Sequence, residues 1–133
     1  MVRTMLAGVR RQLEEAQQLF EETATLAGQG QYDAAYRLAL RARNLVFHAA
    51  RGLAAARSET LPETPVISTP GGGLQDVEPV RAGIAAALAV SDDLTMPREL
   101  TKMYPALARY LGWLRDEVGR LMRAGVLKPP DSN

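Results

Sequence analysis

The chain contains no cysteine, one histidine (His48), few aromatic residues, no excess of charge and no long apolar run. Without cysteine there are no disulfides, thiolate metal sites or cysteine nucleophiles, which fits a reducing compartment and makes a cytoplasmic location the expectation. A single histidine leaves no Glu-x-x-His pairs on facing helices, so a di-iron centre is excluded and zinc is disfavoured; neither metal nor cofactor is expected. Aromatics make up 5% of the residues, and the formal net charge is +1. Any attraction to nucleic acid or a membrane must therefore come from a local patch. No apolar stretch approaches the roughly 20 residues that span a bilayer, and residues 1–12 are too interrupted for a signal peptide, so no membrane association is expected. The run Gly71-Gly72-Gly73 lacks the Lys-Ser/Thr of a phosphate loop and the strand that would precede it.

What is present is Ala, Leu and Arg in a chain of 133 residues, 47% hydrophobic and 23% charged. That is the length and balance of one globular domain, poor in strand-forming residues. A first helix is marked by Val2, Leu6, Val9, Leu13, Ala16, Phe20, Thr23 and Ala27, which alternate steps of four and three and form one apolar stripe. Gly28-Gln29-Gly30 ends it, with glycine available for a left-handed cap. A second helix covers about 31–57, burying Ala35, Leu38, Ala39, Ala42, Leu45, Val46, Ala49, Ala50 and Leu53; the short connection predicts an antiparallel hairpin. Residues 58–75, with Pro62, Pro65, Pro70 and three glycines, predict a long flexible loop. A third helix begins near Asp76, a natural N-cap, with Pro79 in its first turn, and ends at Ser91-Asp92-Asp93. A fourth starts near Thr95-Met96-Pro97 and carries Leu100, Met103, Leu107, Leu111, Leu114, Val118 and Leu121; Pro105 should kink it or split it after Tyr104. Gly125 is its stop, and 127–133 read as a disordered tail. The expectation is an all-α chain, a four-helix bundle in one domain over 1–126, with a Pro/Gly-rich loop between helices 2 and 3.

On a wheel of about 100° per residue, Arg37, Arg41, Asn44, His48 and Arg51 share one narrow stripe of the second helix with Asp33, opposite the alanine face. Such a stripe binds phosphates or an acidic partner, or else it is a solvated face paired with Glu14, Glu15, Glu21 and Glu22 of the first helix. Arg43 lies on the flank, near Tyr36 and Phe47. Arg43 and His48 form a candidate catalytic pair, because metal-independent RNA cleavage needs a proton carrier and a fixed cation, the roles of histidine and arginine. Five residues apart on a helix, they point about 140° apart, so a working pair would draw on two protomers. Tyr104, Tyr110 and Trp113 on the last helix form a candidate partner surface or pack at the edge of the core.

Two family resemblances attach to these residues. Residues 31–42 (Gln-Tyr-Asp-Ala-Ala-Tyr-Arg-Leu-Ala-Leu-Arg-Ala) and Tyr104-Pro105-Ala106-Leu107-Ala108-Arg109-Tyr110 resemble segments of HEPN proteins (higher eukaryotes and prokaryotes nucleotide-binding), helical bundles that often dimerise. Arg43, Asn44 and His48 stand at the spacing of the Arg-polar-His motif in HEPN ribonucleases, although that motif usually lies near the last helix. This resemblance implies a homodimer that binds RNA, nucleotide or a protein partner, or cleaves RNA. Leu100-Thr101-Lys102-Met103-Tyr104 with Leu111, and Met5-Leu6-Ala7-Gly8, are similar to segments of the flagellar export chaperone FliS, which implies instead a protein-interaction module without nucleic-acid binding.

Overall fold

The computed structural model describes residues 2–56, 68–90 and 95–126, with side chains of the first helix described from Leu6 and of the second to Ala55. Every regular element among them is helical. The order is α1 (Val2–Gly28), α2 (Tyr32–Ala56), a single 3-10 turn (Leu74–Asp76), α3 (Val77–Ala89), α4 (Thr95–Lys102) and α5 (Tyr104–Arg123). None of these helices is long and apolar enough to cross a membrane.

The alternating stripe of α1 is buried as its spacing predicts. Leu13, Ala16, Phe20 and Thr23 have no exposed surface, and Val9 and Ala27 almost none. The α1–α2 turn closes with Gly30 at φ 79°, while the Gln31 N–H donates back to Leu26 O at 2.9 Å and Gly30 N–H to Ala27 O at 3.1 Å. This six-to-one pattern needs a left-handed residue, and glycine adopts it without a Cβ penalty. Arg41 of α2 meets Glu15 of α1 across the short turn, so the helices run antiparallel. Ala35, Ala39, Ala42, Ala49 and Ala50 of α2 are wholly buried, and short side chains of this kind let neighbouring helices approach closely.

The expected fourth helix is two. Pro105 has no N–H for the Thr101 carbonyl, and its ring would press on that carbonyl. The chain breaks at Met103, one residue before the predicted split: Met103 N–H reaches only Leu100 O, 3.2 Å away, and α5 restarts with Leu107 N–H on Met103 O at 3.0 Å. Pro105 thereby lies in the first turn of α5, where its missing N–H costs nothing. The break lets α4 pack on α3 while α5 crosses α2, with Tyr32 edge-on to Trp113 and Phe47 against Tyr104. Gly125, at φ 76°, closes α5 as expected, with Val126 N–H on Leu121 O. The expected tail at 127–133 lies outside the described residues.

Residues 58–67 of the predicted loop also lie outside them, but 68–76 are packed against α5 rather than loose. Thr69 N–H donates to Ala108 O at 3.0 Å. A Cβ on Gly112 would overlap the Thr69 carbonyl, and one on Gly72 would overlap Arg109 O, so the strap lies on the helix backbone itself. Asp76 stands at the N-cap position of α3, yet its carboxylate does not cap that helix. It turns back instead to accept Gly73 N–H at 3.0 Å and Arg109 Nε at 3.1 Å, tying strap, α3 and α5 together.

One hydrogen-bonded pair crosses the core. Thr23 Oγ1 donates to Phe20 O at 2.8 Å, which uses its only proton, so Tyr110 donates to Thr23 across 2.8 Å. Burial pushes the Tyr110 pKa up from its ordinary value, and the Thr23 bond offsets part of that rise.

Two stability predictions follow from this packing. Gly112→Ala should lower the urea midpoint because the strap must lift, even though alanine favours the helix. Gly52→Ala, where nothing lies in the way, should raise stability by about 0.5–1 kcal/mol. As for pH, Tyr110 stays protonated in the fold while the unfolded chain ionises at about pH 10, so its share of stability is intact below that pH and falls as pH rises further. A stability–pH profile of Tyr110→Phe should show a shallower alkaline decline; an unchanged slope would overturn this account.

Candidate functional site

The polar stripe of α2 forms because the helix runs unbroken over Tyr32–Ala56, with no proline or internal β-branched cluster to disturb its turn. Arg37, Arg41, Asn44, His48 and Arg51 are all exposed, so the stripe inferred from spacing is a continuous solvent-facing row. Arg37 and Arg41 have carboxylate partners, and Arg51 is engaged within the chain as well. Arg37 meets Asp33 at 3.5 Å, one turn back on the same helix, and Arg41 meets Glu15 at 3.3 Å across the α1–α2 seam. The Arg37 and Arg41 side chains remain 75% and 66% exposed, so both pairs sit in water and open at little cost.

The charge along this edge is uneven. Between Asp33 and Glu59 the sequence has no carboxylate, and residues 1–13 have none either. Glu15 of α1, which meets Arg41, stands one turn after Arg11 on the same helix. Arg11 is exposed. His48 and Arg51 thus lie on the half of α2 remote from the turn, on helix sequence that supplies no acid, while Arg41 is held by Glu15 of α1.

Arg43 and His48 are not brought together. Arg43 is half-buried on the side of α2 that faces α5, and its Nε and Nη2 donate to Asn44 Oδ1 at 3.4 and 3.3 Å. His48 stands in solvent on the stripe. The Arg43 bonds have another effect: with Oδ1 occupied, Asn44 presents its amide hydrogens outward as donors.

The expected aromatic surface on the last helix needs correction. Tyr110 has no exposed surface; it belongs to the core, its ring 6.5 Å from Phe20 and its hydroxyl on Thr23. The side chain at 110 points inward because it continues the stripe of Leu107, Leu111 and Leu114, a placement that a spacing of three to Trp113 did not reveal. Trp113 and Tyr104 are half-buried against Tyr32 and Phe47. Burial raises the Tyr104 pKa from its ordinary value.

Arg10, adjacent to Arg11, does structural work. Its guanidinium donates to Leu88 O at 2.8 Å and to Val90 O at 2.5 Å, closing the C-terminal end of α3 from α1. Such carbonyls are left unpaired when a helix stops, and the cation suits the negative end of the dipole. Among the described residues, no three His, Asp or Glu side chains gather as a metal site would need.

Arg10 and Arg41 should separate by measurement. Arg10→Met should cost about 1.5–3 kcal/mol in urea unfolding, the range for hydrogen bonds to a charged group. Arg41→Gln should cost under about 1 kcal/mol, as an exposed pair does. Equal losses would mean that Arg41 is structural and unsuited to ligand binding.

No protein family model matches this chain, and neither a curated protein nor a solved structure matches it.

Proposed function

We propose that this is a small cytoplasmic binding protein, a HEPN-like four-helix bundle acting as a homodimer, that engages an anionic partner along the basic edge of α2. The partner is RNA, a nucleotide or an acidic face of another protein. The observation that carries the reading is the exposed row Arg41, Asn44, His48 and Arg51 on a stretch with no carboxylate between Asp33 and Glu59. Guanidinium groups bind phosphate and carboxylate through paired donors, and Asn44, held by Arg43, adds outward N–H groups.

Binding is favoured over cleavage. A ribonuclease would need Arg43 and His48 at one phosphate, and a single protomer directs them to different faces of α2. Catalysis would require a composite of two protomers.

A second reading, a FliS-like module that holds a helical protein partner, has one observation in its favour. No residue of α5 after Leu114 is buried, yet Val118, Leu121 and Met122 continue the apolar face of that helix. With the half-buried Tyr104 and Trp113 they are what such a partner would meet.

Elution from a heparin column tests the leading reading. The wild-type protein should be retained, and Arg41→Gln/Arg51→Gln should elute at distinctly lower salt, while a Val118→Ser/Leu121→Ser variant should elute with the wild type. The same elution for the arginine variant removes the α2 edge as the binding surface. Incubated with RNA in chelator, wild type and His48→Ala should both leave it intact; cleavage by the wild type alone would establish the ribonuclease instead.

A further inference from the structure

The strap over α5 is held by different forces from the helices. Each helix commits apolar side chains to the core. Between Ser68 and Gln75 the strap commits none, since Pro70 and Leu74 are its only apolar side chains and both are exposed. What fastens it is the Thr69 N–H on Ala108 O, the Thr69 carbonyl laid over Gly112 and Gly72 laid over the Arg109 carbonyl. A segment with so little apolar burial opens locally at a much lower cost than unfolding the bundle.

The end of the strap at α3 is fixed more firmly. Asp76 is buried, and its carboxylate accepts Arg109 Nε at 3.1 Å and the Gly73 N–H at 3.0 Å. Hydrogen bonds to an ionised group are the stronger kind, and one of these two is also an ion pair. The chain leaves this root through Gly73, Gly72 and Gly71, the last already at φ 91°. Backbone without a Cβ turns with the least steric penalty. A fixed root, a glycine pivot and a lightly held lever therefore follow one another in nine residues.

We propose that the strap is a latch: residues 68–72 swing off α5 about the glycine run, with Asp76 and Arg109 as the root, while the five helices stay folded. Opening uncovers Ala108 and Gly112 and frees the Ala108 carbonyl from Thr69. The same helix carries the unburied Val118, Leu121 and Met122 in its C-terminal half. The latch thus sets how much of α5 is accessible, independently of what the α2 edge binds.

Native-state amide exchange of the whole protein, followed by NMR, provides the test. The Thr69 N–H should be protected at least about tenfold less than the Leu111 N–H within α5. Low urea should leave Thr69 exchange unchanged and speed that of Leu111, because the response to urea follows the surface exposed on opening. Equal protection with equal urea dependence would mean that the strap leaves only when the bundle unfolds, and the latch falls. Gly72→Ala sets a Cβ against the Arg109 carbonyl. It should cut Thr69 protection at least about tenfold while the helical circular dichroism keeps its wild-type intensity. Loss of the helical signal together with the protection makes strap and bundle one unit, and unchanged protection means that this contact does not hold the lever; either result overturns the proposal. Arg109→Gln should speed exchange of both the Thr69 and the Gly73 N–H, and an unaffected Gly73 N–H removes Asp76 and Arg109 as the root.

Discussion

Five alanines of α2, at positions 35, 39, 42, 49 and 50, have no exposed surface, and they share the buried face of the helix with Val46 and Leu53. Leu13, Ala16 and Phe20 of α1 are equally without exposed surface, so both helices of the hairpin commit an apolar face to one core. Interiors pack near crystal density, so these buried faces hold the two helices in one register. The rest of the fold follows from that register. It sets Thr23 where the Tyr110 hydroxyl can reach it, and Arg10 where it can grip the last carbonyls of α3.

A second constraint comes from glycine and proline. Pro105 divides what its apolar spacing describes as one helix, and the two pieces pack on different neighbours. Gly72 and Gly112 allow a proline-containing strap to lie directly on α5, where Asp76 and Arg109 lock it. The strap and the basic edge sit on different elements, so the strap can tie α3 to α5 without entering the surface proposed for ligand.

Most of the helical layout was legible in the residues. The stripe of α1, the hairpin, the N-terminal boundary of α3 and the stop at Gly125 each rest on local rules, in which side-chain period, glycine conformation and missing donors act within a few residues. The division at Met103 was legible to within one residue. The strap was not, because composition alone describes 58–75 as loop, and the contact that orders 68–76 depends on where α5 passes. Asp76 illustrates the same limit: its position favours a cap, but a nearby guanidinium and a glycine N–H outcompete the local role. For the site, the stripe on α2 could be read from a wheel, as could the divergence of Arg43 and His48. The burial of Tyr110 could not be read from its spacing to Trp113, since a tyrosine suits an edge or a core equally until a partner for its hydroxyl is found.

By itself, the sequence determined the helical class, the excluded chemistries and the row of arginines with Asn44 and His48 on one face, because these depend on composition and on the period of a single helix. Only the tertiary structure decided that α5 stands apart from α4, that Tyr110 is core and that Arg10 is structural. Each of those depends on which residues, far apart in the chain, the packing of α1 against α2 brings to the same place, and no local period carries that information.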